Sequence, residues 1–382
     1  RTLNMRTDAA ARPLKPLFTK AFEYSDGWVM DARLVTLNAR DAADRGARIK
    51  TRTRADLMRV EDGLWVVEAT GANGQAYRFT GRSLVNAAGP AVLDLLRRAA
   101  APPDYQMRLV RGSHIVVRKL FDHDFAYFFQ LPDGRIFFAV PYERDFTLIG
   151  TTDQDHEGSL ADVHASAEEI AYLCEGANQY FAAQIGPDDV VWTYSGVRPL
   201  VEDGSGKPEA ATRGYRIDLD MGEGAPLLTI YGGKITSYRH VAEHAVDDLA
   251  AHVAALTGAR WTASAPLPGG DFRTDGAAAL KADYRLAHPF LSAATVDRIV
   301  KAYGTDARAW LGTAQSWDDL GGEIAHGLSA AEIRWMIDRE WAQTSDDILW
   351  RRSKLGLHFT AEDIKRLDAF LDGIAVKPAL PE

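Results

Sequence analysis

The residues best suited to chemistry follow an apolar run in "LLTIYGGKITSY". Gly232 and Gly233 let the backbone turn sharply and approach a ligand closely. The helix predicted after them offers unpaired N–H groups and the positive end of its dipole, and Lys234 adds a full charge. This combination suits an anionic or electron-rich ligand. A plain strand–helix turn with an exposed lysine explains the motif alone equally well.

Two arginines and a histidine extend the candidate site. Arg198 lies in "WTYSGVRPL" and Arg213 in "TRGY", and arginine is the residue best able to grip phosphate or carboxylate in a bidentate manner. His114 follows a Gly-Ser pair in "RGSHIVV". A histidine can take a proton near neutral pH. A hydrogen-bonded core residue is the more common role of a lone histidine in a strand, so both interpretations of His114 stay open.

A third feature is the small-residue stretch "LVNAAGP", where an apolar strand ends at Gly89. Small residues at the carboxyl end of a strand leave room for a flat cofactor. A tight strand–helix connection is an equally good explanation. No G-x-G-x-x-G follows a strand, and no Walker A, H-E-x-x-H or G-x-S-x-G motif is present. The motifs alone therefore indicate a two-domain α+β protein with an arginine-lined anion site.

Composition narrows the class of protein. The 382 residues are enough for two or three domains, and the net charge of −9 argues against a nucleic-acid partner. The single cysteine, Cys174, excludes a disulfide framework and cysteine-rich zinc sites, and we expect it to be a buried core residue. No apolar stretch approaches the roughly 20 residues of a membrane span, and no signal peptide is visible.

Periodicity predicts the elements that position these residues. Helical patterns occupy 31–49 and 166–185, and a β-meander is expected over 47–89. Alternating apolar residues and turn signals predict that 106–152 and 187–231 form one largely antiparallel sheet. Helical segments that carry Ser, Thr or Asp near their starts, including "SAAE" and "TAED", predict a separate helical unit from about 280 to 375.

Taken together, the motifs resemble a known family. "LVNAAGP", "RGSHIVV", "FTLIGTTD", "WTYSGVRPL", "YGGKITSYR" and "DDILWRRSKLGL" occur in the order found in FAD-dependent glycerol-3-phosphate dehydrogenase, the aerobic, quinone-linked kind. That family belongs to the D-amino-acid-oxidase-like flavoproteins. The resemblance implies an α+β fold of that type: a partial FAD domain, an antiparallel-sheet substrate domain and an all-helical C-terminal domain.

The same resemblance suggests domain limits. Residues 1–105 correspond to the remaining part of the FAD-binding domain and 106–231 mainly to the substrate-binding sheet. Residues 232–258 form a flavin-facing loop and a helix that returns to the FAD domain, and 259–382 form the helical domain. Members of the family begin with a strand–GxGxxG–helix unit, which this sequence lacks. We therefore expect a fragment of a protein that binds FAD when intact, and weak or no FAD binding by this chain alone.

The resemblance also implies an activity: oxidation of sn-glycerol 3-phosphate to glycerone phosphate, with hydride transfer to FAD and electrons passed to quinone. His114, Lys234 and Arg198 are the implied catalytic residues, and Arg198, Arg213 and Lys234 bind the substrate. His114 is the candidate base for the C2 hydroxyl, and Lys234 is its rival if desolvation lowers its pKa. No metal is expected. The implied FAD-binding residues are Ala88, Gly89, Gly232, Gly233, Lys234, Ile235 and Thr236.

The resemblance also implies a cellular location, and two other functions stay open. The family is cytoplasmic and peripheral at the inner face of the cell membrane, and a homodimer is left open. One alternative is an amino-acid oxidase of the same flavoprotein class, in which Arg198 binds a carboxylate. Another is a cofactor-free interaction module. Arg213 and the long helical region argue against the amino-acid oxidase.

Overall fold

The structure, a computed structural model, describes residues 1–202 and 214–374. The chain forms two compact units. The first contains Arg1–Asp26 and Arg52–Arg260, and the second contains Gly27–Thr51 and the chain from Trp261 onward. In the described ranges no helix is both long and apolar enough to cross a membrane.

Elements are numbered along the chain. The strands are β1 Thr2–Asn4, β2 Lys20–Phe22, β3 Thr53–Glu61, β4 Leu64–Gly71, β5 Ala76–Gly81, β6 Leu84–Asn86, β7 Met107–Arg118, β8 Tyr127–Gln130, β9 Ile136–Tyr142, β10 Phe146–Gly150, β11 Gln154–Asp155, β12 Val190–Val201, β13 Tyr215–Asp220, β14 Leu227–Gly232, β15 Glu323–Ala325 and β16 Leu328–Ser329. The helices are α1 Asp31–Asp44, α2 Val92–Arg98, α3 Ala167–Tyr180, α4 Tyr238–Ala250, α5 Ala277–Ala287, α6 Ala293–Tyr303, α7 Arg308–Leu311, α8 Ala330–Glu340 and α9 Ala361–Gly373.

The largest sheet of the first unit is built around β7. Strand β12 pairs with one edge of β7, and β10 and β11 pair with the other, all antiparallel. The β-branched run Ile115–Val117 in β7 is fully buried, as suits the centre of a pleated sheet. Helix α3 covers one face, and Cys174 is buried there as predicted.

A second, smaller sheet corrects the sequence-based expectation. Strands β13 and β14, which were predicted to join the large sheet, instead form a separate sheet in which β14 runs parallel to β6. The alternation of residues identified the strands correctly but contains no information about their partners. The meander β3–β4–β5 is confirmed. Its strands and the β14 sheet share a core that includes Trp65, Leu96 and Tyr231.

The second unit is mainly helical, as predicted for the C-terminal region. Ser292, Ser329 and Thr360 cap α6, α8 and α9, and Thr360 forms a full capping box with Asp363. Helix α1 belongs to this unit rather than to the sheets that flank it in sequence. The physical reason is a buried ion pair between Arg33 and Glu340, which no local pattern in the sequence reveals.

Candidate active site

The register of the large sheet places three predicted or new site residues on one face. On β7, His114 lies opposite Tyr194 of β12 and opposite Gly150 of β10. Arg198 of β12 lies opposite Val110 of β7. Side chains alternate along a strand, so His114, Tyr194 and Arg198 project from the same face.

His114 lies over a glycine. Its ring stacks on Tyr194 with ring centroids 4.7 Å apart and an interplanar angle of 5°. A Cβ atom at Gly150 would lie 2.2 Å from the imidazole Cδ2, so a side chain at position 150 would displace the ring. The half-buried imidazole is therefore held against the sheet by a tyrosine and by the absence of a side chain on the neighbouring strand.

Arg198, like His114, lies over a glycine of the neighbouring strand. A Cβ atom at Gly112 would lie 2.4 Å from its guanidinium nitrogens. Nη1 donates to Asp153 Oδ1 at 2.6 Å, and Nη2 donates to Thr151 Oγ1 at 2.8 Å. Because Gly112 and His114 are two residues apart on β7, the cation and the imidazole lie side by side, with about 7 Å between their positions on the strand.

A buried carboxylate supports this arrangement from the opposite face. Glu169, at the start of α3, accepts hydrogen bonds from Ser113 Oγ at 2.9 Å and Thr152 Oγ1 at 2.6 Å. It also pairs with Arg111 at 2.9 Å. Burial alone would raise the pKa of Glu169, but the hydrogen bonds from Ser166, Thr152 and Ser113 and the charge of Arg111 together lower it. Glu169 is therefore held as an anion.

The two glycine turns meet at one sheet edge. Strands β6 and β14 are parallel, so their carboxyl ends lie together, and Gly89 and Gly232 follow them with φ of 55° and 71°. Gly233 has a φ of 100°. A Cβ atom at Gly232 would lie 3.5 Å from the Pro199 carbonyl oxygen. The Gly-Gly turn therefore adjoins β12 directly after Arg198.

These turns fit a flat cofactor. An added Cβ at Gly89 would project into open space, with no atom within 4 Å, so bare backbone faces a volume that a side chain would fill. The 3₁₀ segment Ile235–Ser237 and α4 begin just after the second turn, which supplies helix N-terminal N–H groups. Ala88 and Gly89 are half-buried, whereas Lys234, Ile235 and Thr236 are exposed. The seven predicted cofactor residues thus lie on these two turns and on the start of the 3₁₀ segment that follows the second one.

Two of the predicted substrate-binding residues, Lys234 and Arg213, differ from Arg198 in what the structure shows of them. Lys234 is exposed, so the described residues do not provide the burial on which its role as a base depended. Arg213 lies outside the described residues. Asp153, Thr151, Tyr194 and Glu169 were not predicted as site residues. Thr151, Asp153 and Tyr194 lie in the motifs "FTLIGTTD" and "WTYSGVRPL", and the strand glycine Gly112 was a further signal, because glycine inside a strand often marks a close approach.

Comparison with known proteins defines the class. A family described as "FAD dependent oxidoreductase" matches residues 2–239, and one described as "C-terminal domain of alpha-glycerophosphate oxidase" matches 260–375. The chain belongs to the FAD-dependent oxidoreductase family, and FAD is the cofactor of that family. The predicted family and fold class are therefore confirmed.

Individual relatives narrow the class to enzymes of phosphorylated polyols. D-erythritol 1-phosphate dehydrogenase of Brucella abortus (strain 2308) is 42% identical over 362 residues, covering 94% of this chain and 72% of that protein. Aerobic glycerol-3-phosphate dehydrogenase of Escherichia coli (strain K12) is 42% identical over 364 residues, again covering 94% and 72%. Neither relative supports an amino-acid oxidase or a cofactor-free module.

A solved structure agrees with the fold. The glycerol-3-phosphate dehydrogenase from Bacillus halodurans, complexed with FAD, matches with a TM-score of 0.78 and 24% sequence identity. The match covers 100% of this chain and 81% of that one. At this identity the likeness concerns the fold.

Proposed function

We propose that this protein oxidises sn-glycerol 3-phosphate to glycerone phosphate in an FAD-dependent reaction. The observation that carries the proposal is that Arg198 and His114 lie side by side on one sheet face, over Gly112 and Gly150, with the Gly-Gly turn next to Pro199. A fixed cation and a proton acceptor on one sheet face suit a substrate that has a phosphate and a hydroxyl. The 42% identity to glycerol-3-phosphate dehydrogenase of E. coli supports the substrate.

Each residue has a defined task in this proposal. Arg198, together with Arg213, binds the phosphate, since guanidinium groups match phosphate oxygens in a bidentate manner. His114 takes the proton of the C2 hydroxyl as the carbonyl forms. FAD, when bound, supplies the acceptor for the C2 hydride. Lys234 and the N–H groups after Gly233 provide positive potential at the turn.

The electron acceptor and the location are part of the same proposal. We expect the electrons to pass to a quinone, and the protein to be cytoplasmic and to lie peripherally at the inner face of the cell membrane. Support comes from the resemblance to the aerobic, quinone-linked family. Ubiquinone-analogue reduction driven by glycerol 3-phosphate, and flotation with vesicles of E. coli lipids, test these two points. The elution volume in size-exclusion chromatography tests a homodimer.

A second substrate is favoured by an equally strong comparison. D-erythritol 1-phosphate dehydrogenase has the same 42% identity over a similar span. Both substrates have a phosphate and a secondary hydroxyl, and they differ in the length of the polyol. The test is steady-state dye reduction with each polyol phosphate, on protein whose visible spectrum shows flavin. A higher kcat/KM for glycerol 3-phosphate supports the proposal, and a clear preference for erythritol 1-phosphate would replace it.

A further inference from the structure

The tripeptide Thr151-Thr152-Asp153 joins β10 to β11 and contacts side chains on both faces of the large sheet. Its two outer residues accept hydrogen bonds from Arg198, at 2.8 Å for Thr151 Oγ1 and 2.6 Å for Asp153 Oδ1. The Thr151 hydroxyl also donates to the Thr152 carbonyl at 3.0 Å. Arg198 Nη1 also donates to the Thr152 carbonyl at 3.4 Å, so the guanidinium plane is defined by all three residues of one short segment.

Thr152, the middle residue, is held by contacts on the opposite face of the sheet. Thr152 is buried, donates to Glu169 Oε1 at 2.6 Å and accepts from the Ser113 N–H at 2.9 Å. The Glu169 side chain is 0% exposed. The Ser166 N–H also donates to Glu169, at 3.0 Å, as part of the cap of α3. The tripeptide is thus attached both to strand β7 and to the start of helix α3.

We propose that Thr151-Thr152-Asp153 positions Arg198 for the phosphate of the substrate, with Asp153 acting directly and Glu169 acting through Thr152. This inference rests on the proposed function of Arg198 as a phosphate ligand. A free arginine side chain has rotamer entropy to lose when it is fixed on binding. A guanidinium that is already held loses less on binding, and pre-organisation of this kind improves affinity.

Charge repulsion between Asp153 and the phosphate would change KM in the opposite direction. The direction of the change in KM therefore distinguishes positioning from charge competition. A carboxylate 2.6 Å from the guanidinium repels an incoming phosphate, and its removal would strengthen binding if charge dominated. Asp153→Asn removes the charge but keeps an acceptor oxygen, whereas Asp153→Ala removes both. Positioning predicts that KM rises from wild type to Asn and again to Ala. Charge competition predicts that both substitutions lower KM.

The first experiment uses the intact, flavin-loaded enzyme and measures glycerol 3-phosphate kinetics and, independently of turnover, calorimetric binding of inorganic phosphate. We expect Asp153→Ala to raise KM and the phosphate Kd about 10-fold, and Asp153→Asn about 3-fold, with kcat changed less than about twofold. Asp155→Asn is the matched control, because Asp155 on β11 pairs with Arg108 on β7 in the same sheet, also at 2.6 Å. An unchanged or lowered KM and Kd in Asp153→Ala would overturn the proposal.

The second experiment tests the route through Glu169 without unfolding the protein. Thr152→Val keeps the shape of the side chain but loses the hydroxyl, and Thr152→Ser keeps the hydroxyl. We expect Val to raise the phosphate Kd about 3- to 10-fold and Ser to restore it to within twofold. Melting temperatures are measured for both variants. Equal Kd values for Val and Ser would show that Glu169 does not act on Arg198.

A third variant separates this inference from the proposed function. If Arg198→Met leaves KM and the phosphate Kd unchanged, Arg198 is not a phosphate ligand and the assignment under the proposed function fails. If Arg198→Met raises both while Asp153→Ala does not, only the positioning role fails. In the double variant, Asp153→Ala should have no further effect, because interacting residues are not additive. The same comparison is valid with erythritol 1-phosphate as substrate.

Discussion

Two arginine–carboxylate pairs, one in each compact unit, have the same shortest distance and opposite surroundings. Arg198–Asp153 and Arg33–Glu340 both measure 2.6 Å. The side chains of the first pair are 28% and 13% exposed, whereas those of the second are 4% and 0% exposed. The shortest distance is therefore the same in the two units, but Arg33 makes a second bond to Glu340, from Nη2 to Oε1 at 2.9 Å, and the two pairs differ in accessibility.

The partners differ as well. Arg33 also donates Nε to the Ala302 carbonyl at 3.0 Å and lies 4.8 Å from the Tyr303 ring centroid. It is enclosed by the helical core. Arg198 instead lies over Gly112 on the sheet face that also carries His114. A buried ion pair alone therefore indicates a contribution to the stability of the fold. An arginine held over a glycine and beside a histidine indicates a candidate functional site.

The largest expected effect concerns the enclosed pair. Glu340→Gln leaves Arg33 buried without its counter-charge, and removal of one partner of a buried pair costs about 3–5 kcal/mol. We expect a loss of that size in the free energy of unfolding in urea, with an unchanged KM in the protein that remains folded. Asp275→Asn is the control, since Asp275 pairs with Arg273 at the surface and such pairs contribute about 0.2–1 kcal/mol. A similar loss in both variants would remove the contrast.

The second effect concerns His114 and is kinetic. His114→Ala removes the proposed proton acceptor, and general-base catalysis contributes about 10²-fold or more. We expect kcat for glycerol 3-phosphate to fall by at least that factor, with little change in KM. Lys234→Ala, which removes a cation beside the turn, should lower kcat less. A larger loss in Lys234→Ala would make Lys234 the base.

The third effect concerns Arg213, which the sequence alone identifies. The phosphate is remote from C2, so its binding should contribute similarly in the ground and transition states. Loss of one charge-assisted contact of about 1.5–3 kcal/mol implies that Arg213→Ala raises KM roughly 10- to 150-fold. Arg213→Lys should recover part of the loss, because it keeps the charge without the planar fork. An unchanged KM with a collapsed kcat would exclude Arg213 as a phosphate ligand.

The sequence predicts features that depend on residues close together in the chain. It does not predict contacts between residues that are far apart in the chain. The longer strands, the helix caps and the glycine turns are encoded within a few residues, and these were predicted, whereas the short strands β1, β2, β15 and β16 were not. The pairing of β6 with β14 and the bonds of Thr152 and Ser113 to Glu169 join distant parts of the chain. No short pattern specifies them. For the same reason Arg198 was identified as a ligand candidate, whereas the segment that holds it was not.

The smallest effect tests a carboxyl group whose neighbours are acidic. Burial raises the pKa of Asp218 to about 6, with help from a hydrogen bond to Asp104 and from the charges of Asp104 and Asp220. Buried Tyr231 also lies in this environment. The unfolded value is near 3.9, so the folded state binds the proton more tightly. The contribution of Asp218 to stability is therefore fully present below about pH 4 and is lost as the pH rises through about 6.

Asparagine resembles the protonated acid at every pH, which makes Asp218→Asn the direct test. We expect the variant to melt a few degrees above wild type at pH 8, and at nearly the same temperature at about pH 3.5, where Asp218 is largely protonated in both the folded and the unfolded state. Asp220→Asn is the control, because Asp220 is exposed and should change the melting temperature less at pH 8. A gap of equal size at the two pH values would show that the charge of Asp218 is not responsible. In the ion pairs above an arginine offsets the buried carboxylate, whereas here a proton does so, and a proton is lost as the pH rises.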